Sequence, residues 1–254
     1  MDDIITNRLI NNPLAKKHKK PALPMPPPVL SLRAIVRTVL FYFLLTYLVT
    51  SVGSCILLRW IPPLTTTFML HRHIEDFPSF KWIDYRWVSA EKISPHAFMA
   101  VIASEDQRFM QHFGFDLNAI AASVEDYIDG EPLRGASTIS QQVAKNLFLS
   151  PSKNFLRKGF EVWFTGLLEI FWSKQRIIEV YLNIAEFGDH IFGIEAASLH
   201  YFGIHAKQLS QSQAALLAAT LPNPLRLKAA APSNYVLKRR NWIVRQMPNV
   251  AYPH

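Results

Sequence analysis

The chain holds 254 residues, half of them hydrophobic, with 27 Lys and Arg against 19 Asp and Glu and a formal net charge of +8. That length suits one good-sized domain with something attached, and a lone cysteine, Cys55, excludes a disulfide framework. The charge is concentrated at one end: Arg8, Lys16, Lys17, Lys19, Lys20, Arg33 and Arg37 against Asp2 and Asp3 place +5 ahead of residue 39, so the remainder lacks the basic excess of a nucleic-acid-binding domain.

Residues 1–33 are polar, then proline-rich (PALPMPPPVL), and read as a disordered tail. From Val39 to Leu58 the chain carries no charge. At helical rise these 20 residues reach roughly 30 Å, the hydrocarbon thickness of a bilayer. The run is too long, and stays bulky too far, for a cleaved signal peptide. Residues 34–60 are therefore expected to be a single transmembrane anchor, with a buried core helix as the alternative. The basic flank places the N-terminus in the cytoplasm.

Residues 61–94 mix aromatics with prolines and charges. They read as a juxtamembrane segment that packs on the domain or dips into the lipid interface, where Trp and Tyr are at home. The alternative is an ordinary loop with a strand or two. Residues 95–246 form the expected domain, and 247–254 a C-terminal tail. Apolar residues recur at three and four spacings in 96–111, 138–149, 157–172, 174–186, 192–202 and 209–221. Gly130, Gly135, Pro151, Gly188, Gly203 and Pro222 punctuate them, so the domain is predicted to be mainly α.

Within 96–111, Phe98, Val101, Ile102, Glu105, Phe109 and His112 share one helical face. Glu105 thus interrupts an apolar stripe, while Asp106 is turned about a hundred degrees away and can stay wet. A carboxylate desolvated by Phe and Ile favours its protonated form, and a base poised nearer neutrality suits proton abstraction from a hydroxyl. Gly114 is expected to end this helix. The alternative is a structural glutamate satisfied by backbone donors or by His112.

In GASTISQQVAKNLFLS, 135–150, Gly135 gives a flexible entry and Ser137 or Thr138 can cap a helix. Thr138, Gln141, Gln142 and Lys145 share a face suited to hydroxyls and phosphate, unless it is simply solvated. In KNFLRKGFEVWF, Lys153, Arg157 and Lys158 approach a second embedded carboxylate, Glu161. Cations gathered near two carboxylates suggest glycosidic-bond chemistry on an anionic ligand, though membrane-surface attraction also explains cations. Ser150 and Lys153 fit S-x-x-K, but no K-T-G follows, and the match is accidental.

These residues resemble the peptidoglycan glycosyltransferases. EDQRFMQHFGFD fits their E-D-x-x-F-x-x-H-x-G-x-D pattern at every fixed position. GASTISQQVAKNLFL resembles the second motif and RKGFE the third. KQRIIEVYLNIAEFG with GIEAASLHYFG resembles the fourth, and LSQSQAALLAATLPNP the fifth. The five stand in order over 101–224, and the short chain is similar to the monofunctional members that lack a transpeptidase domain.

The resemblance implies a mainly α, lysozyme-like fold with a large lobe and a small membrane-proximal lobe. It implies polymerisation of lipid II onto a growing glycan strand in a bacterial inner membrane, with the catalytic domain periplasmic. By position, Glu105 is the general base. Glu161 lies near the reacting centre, and Lys145, Lys153, Arg157 and Lys158 meet the departing diphosphate. Ser137, Thr138, Gln142 and Asn146 bind sugar or phosphate, and Asp106, Phe109 and His112 shape the substrate pocket around the base.

No fixed cofactor is implied, although a divalent metal (Mg or Mn) can share the diphosphate. Other wall-synthesis or division proteins are the expected kind of partner, and nucleic acid is not. Lys153 stands where the family carries an arginine, which keeps the charge but loses the bidentate fork. Gly159 inside the third motif costs about 1 kcal/mol relative to alanine. A lytic hydrolase and a non-catalytic membrane scaffold are the competing readings.

Overall fold

The computed structural model describes residues 31–79, 81–130, 137–152 and 154–252. The calls on residues 1–30, on Gly135 and on Lys153 lie outside them. The chain divides at Thr46/Tyr47. Before the division, the described residues are the first part of α1 (Leu32–Leu58), where Phe41, Tyr42 and Phe43 stand exposed. Among the described residues α1 is the one helix long and apolar enough to cross a membrane, which fits a single-pass membrane protein.

After the division the structure is mainly helical. The last turns of α1 are packed against protein: Ser51 and Cys55 are buried. Trp163 Nε1 donates to Ser51 Oγ at 3.3 Å, and Trp172 Nε1 donates to the Cys55 carbonyl at 2.7 Å. Then come α2 (Thr67–Glu75), β1 (Asp84–Tyr85), α3 (Pro95–Glu105), α4 (Leu117–Ile128), α5 (Ile139–Phe148) and α6 (Phe155–Phe171). They are followed by α7 (Lys174–Ile184), β2 (Glu186–Gly188), β3 (Ile191–Phe192), α8 (Ile194–Phe202), α9 (Gln211–Thr220) and α10 (Asn234–Gln246). In the sheet, ordered β1-β3-β2, β1 is parallel and β2 antiparallel to β3.

Helix α7 is the spine. Ile177, Ile178, Val180, Tyr181, Leu182 and Ile184 are all buried, so it is enclosed nearly all round and packs against α3, α5 and α8. Truncating one such isoleucine to alanine costs about 2–5 kcal/mol. Ala97, Ala100 and Ala103 of α3 and Ala214, Ala215, Ala218 and Ala219 of α9 are buried where these two helices meet. Such small side chains let two helix axes approach closely. That approach brings Ser104 Oγ to 3.3 Å from the Ala218 carbonyl, right beside Glu105.

The six periodic stretches are helical, with ends displaced by a few residues. The largest displacement is in the first: α3 stops at Glu105, because Asp106 leaves helical geometry at φ −161° and ψ 75°. Gly114 lies beyond the helix end, in the following loop, at φ 80°. Three helices were not anticipated. Helix α2 lies in the juxtamembrane segment, started by the Thr66 side chain, which accepts from the Met69 N–H at 3.1 Å. Helix α4 is capped by Asp116, which accepts from the N–H groups of Asn118 and Ala119. Helix α10 packs on α9 and α3.

Candidate active site

Glu105 is the last residue of α3, and its side chain is 12% exposed. The bonds to its carboxylate are polar rather than the apolar wall expected from the helical stripe. Ser104 Oγ donates to Oε1 at 3.0 Å, and Gln142 Nε2 donates to Oε2 at 3.0 Å. Behind Gln142, the Tyr181 hydroxyl donates to Gln142 Oε1 at 3.2 Å. Burial holds the Tyr181 phenol well above its ordinary value, and the negative charges of Glu105 and Asp106 push the same way. Tyr181 therefore keeps its proton and remains a donor.

Asp106 corrects the expectation of a wet carboxylate. The chain turns out of the helix at this residue and the side chain is buried. His112 Nε2 lies 2.9 and 3.1 Å from its two oxygens, and the N–H of Ile139 donates to Oδ2 at 3.0 Å. One oxygen thus accepts from the first turn of α5, a favourable place for negative charge. Phe109 is fully buried at 0% exposure, with the Lys174 ammonium over its ring. Phe109, expected at the substrate, has no surface to offer one; it supports the loop from beneath, and His112 belongs mainly to the same supporting layer.

Thr138 begins α5 with a capping box, in which Gln141 returns its side chain to the Thr138 N–H. The Thr138 hydroxyl donates to the Gly114 carbonyl at 2.7 Å, and the side chain is only 3% exposed. Its one hydroxyl hydrogen is therefore committed to the loop. Gly114 needs its own identity: a Cβ there would lie 2.8 Å from Thr165 Cγ2.

The cations gather across the cleft. Glu161 is buried on α6, and Arg157 Nη1 donates to its Oε2 at 2.6 Å while the Lys158 ammonium takes Oε1. The i+3 and i+4 spacing on one helix brings these three together. Lys145 of α5 joins them. Burial lowers its ammonium below the ordinary 10.5, with Arg157 and Lys158 pushing the same way and Glu161 and Glu105 opposing.

Three adjoining cavities of about 260, 260 and 190 Å³ form the cleft. The first is lined by Glu105, Asp106 and Arg108, the second by Gln142, Arg157, Lys158 and Glu161. Exposed Ser137 borders both. Lys145 lines the second and the third, where Asn146, Phe68 and Tyr181 join it. The structure thus brings together Glu105, Asp106, Ser137, Thr138, Gln142, Lys145, Asn146, Arg157, Lys158 and Glu161. Sequence reading missed Ser104, Tyr181 and Arg239. Tyr181 sits inside the fourth motif and Ser104 immediately before the first; Arg239, on α10, sits in none, and its Nη2 is 3.6 Å from Glu105 Oε1.

Residues 72–248 match the family model described as Transglycosylase. A protein of Pseudomonas fluorescens named biosynthetic peptidoglycan transglycosylase is 50% identical over 206 residues, 80% of this chain and 86% of that one. A protein of the same name from Shewanella oneidensis is 51% identical over 197 residues, 78% of this chain and 84% of its own. One from Ectopseudomonas mendocina is 47% identical over 225 residues, 88% and 93% of the two chains. A base-like carboxylate facing a cationic wall, on a chain this similar along most of its length, has one meaning: the chain belongs to the transglycosylase family and is a glycosyltransferase.

Proposed function

We propose that this transglycosylase builds peptidoglycan, polymerising lipid II into glycan strands with inversion and release of undecaprenyl diphosphate. The observation that carries the reading is the carboxylate of Glu105, fixed at both oxygens, in a cleft that also gathers Lys145, Arg157 and Lys158. In this reading Glu105 takes the proton of the GlcNAc 4-hydroxyl of the incoming lipid II. The freed oxygen forms a bond to the anomeric carbon of the strand's terminal MurNAc. The bond from that carbon to the diphosphate breaks, and the electron pair leaves with the phosphate oxygen.

Negative charge then grows on the diphosphate, and fixed cations lower the barrier by stabilising it. Glu161 acts through those cations: it holds Arg157 and Lys158 in place so that they need not reorganise during the reaction. Ser137 and Asn146 complete the sugar and phosphate contacts, and Lys153, outside the described residues, is assigned to the diphosphate by its place in the sequence alone.

Among the described residues no group of three His, Cys, Asp or Glu gathers around a metal position, and both oxygens of Glu161 are engaged by cations. These described residues do not build a site for a divalent ion, so a magnesium or manganese ion would be held by the diphosphate oxygens.

The basic N-terminal flank sets the N-terminus in the cytoplasm and the catalytic domain on the periplasmic face. Exposed Trp60, Leu64, Phe77 and Trp82 suit contact with lipid. Keeping the enzyme in the membrane that holds its polyprenyl substrates raises their effective concentration.

The hydrolase reading is separated by one assay. Labelled lipid II incubated with the full chain yields polymer and undecaprenyl diphosphate if the proposal is right. Unchanged lipid II together with digested sacculi contradicts it.

A further inference from the structure

We infer that Arg239, outside all five motifs, is a positioning residue for the base: it holds the Ser104 hydroxyl in the orientation that fixes Glu105. The inference rests on the reading of Glu105 as the base.

Arg239 lies on the inward face of α10. Val236 and Ile243, three residues before it and four after, are both buried, and this spacing places all three on one side of the helix. A guanidinium on such a face is poor packing material and demands a partner. Its side chain is 22% exposed. Nη2 donates to the Ser104 carbonyl at 3.4 Å and to Ser104 Oγ at 3.0 Å. One cation thus contacts the residue before the base twice.

The consequence follows from counting hydrogens. Serine has one hydroxyl hydrogen and two lone pairs. Arg239 is donor-only, so its bond occupies a lone pair of Ser104 Oγ and turns the hydrogen elsewhere. The acceptors in reach are Glu105 Oε1 at 3.0 Å and the Ala218 carbonyl at 3.3 Å. The carboxylate oxygen is the nearer of the two and carries charge, so the hydrogen goes to Glu105. With Gln142 holding Oε2, the base is gripped at both oxygens and its remaining lone pairs are left for the substrate hydroxyl. Without Arg239 the Ser104 hydrogen can turn to the Ala218 carbonyl at 3.3 Å, and Glu105 Oε1 loses the guanidinium at 3.6 Å as well, so Gln142 at Oε2 becomes the firm anchor of the carboxylate.

Arg239 does not line the cavities that hold Glu105 and the cations, so it acts on the base, through Ser104 and through its own Nη2 at 3.6 Å from Glu105 Oε1, and not on lipid II. Its removal therefore lowers kcat and leaves KM in place, since misalignment of the base impairs the transition state rather than ground-state binding.

The test is steady-state lipid II polymerisation by the full chain and its Arg239→Ala, Ser104→Ala and Glu105→Gln variants. Arg239→Ala is expected to lose at least about tenfold in kcat, approaching the order of 10²-fold that misplacement of a reacting group by about an ångström causes, with KM within about twofold. Added guanidinium is expected to restore part of that rate and to leave wild type unchanged.

Ser104→Ala, which keeps the arginine, lowers kcat in the same way and covers the case in which Arg239→Ala does not fold. Wild-type kcat in either variant, a loss carried by KM, or an Arg239→Ala defect that guanidinium leaves unmoved overturns the inference. Glu105→Gln separates the levels: if it is inactive while Arg239→Ala is fully active, only the positioning role falls. If Glu105→Gln polymerises normally, the base assignment falls and this inference with it.

Discussion

Gln142 Nε2 donates to Glu105 Oε2 at 3.0 Å, so one residue of α5 fixes the carboxylate that ends α3. The two residues are 37 apart in sequence and belong to different motifs. Replacing Gln142 by leucine keeps similar bulk and removes the donor. We expect kcat for lipid II polymerisation to fall roughly 10- to 100-fold, since orientation of a catalytic group carries factors of this size. An unchanged kcat in Gln142→Leu contradicts this role.

Glu161 bonds both Arg157 and Lys158. Glu161→Gln keeps the shape and removes the charge that holds them. The cations then lose their fixed aim at the diphosphate, and kcat/KM is expected to fall by roughly 10²-fold, the scale of losing one electrostatic stabiliser. Arg157→Lys tests the same wall from the other side, because lysine keeps charge without the planar fork. Circular dichroism before kinetics separates a lost fold from a lost wall.

Lys145 gives a pH signature. Burial lowers its ammonium below 10.5, so it loses its proton at lower pH than a free lysine. The protonated form is the one that stabilises a diphosphate. Hence kcat/KM should decline as pH rises, with a midpoint below 10.5, and Lys145→Arg should move that limb upward. Tyr181 keeps its proton in this range. For stability the sign is opposite: burial of the charged ammonium opposes folding fully below the lowered value, and this penalty disappears as pH climbs from there to 10.5. A limb unmoved in Lys145→Arg assigns it to another group.

Gly114 sits at φ 80°, where a Cβ would approach Thr165 Cγ2 to 2.8 Å. Gly114→Ala is therefore expected to destabilise by more than about 1 kcal/mol, read as a lower melting temperature. The loop it turns contributes the carbonyl that accepts from Thr138, so activity should fall with it. A melting temperature equal to wild type contradicts the strain.

The periodic stretches were legible because their apolar faces really are buried, α7 most completely. Asp106 was misread because helical spacing was carried one residue too far. Once the backbone leaves α geometry at that position, the hundred-degree rule no longer says where a side chain points. Helix α4 carries Leu117, Ile120, Val124 and Ile128 at helical spacing, but this stripe stands exposed rather than in the core. Helix α10 gives little apolar signal: its sequence NYVLKRRNWIVRQ is polar, with Val236 and Ile243 its only fully buried residues. Arg239 then reaches a residue 135 positions earlier, a pairing that packing against α9 and α3 creates and local pattern does not encode.

The most direct measurement is lipid II polymerisation by Glu105→Gln, a nearly isosteric change that removes the proton acceptor and keeps the side chain's bulk. The expected result is no detectable glycan polymer from a folded, membrane-inserted protein that still binds lipid II. Polymer formation at the wild-type rate would mean that another group takes the proton, and the cleft would have to be read again from its cationic side.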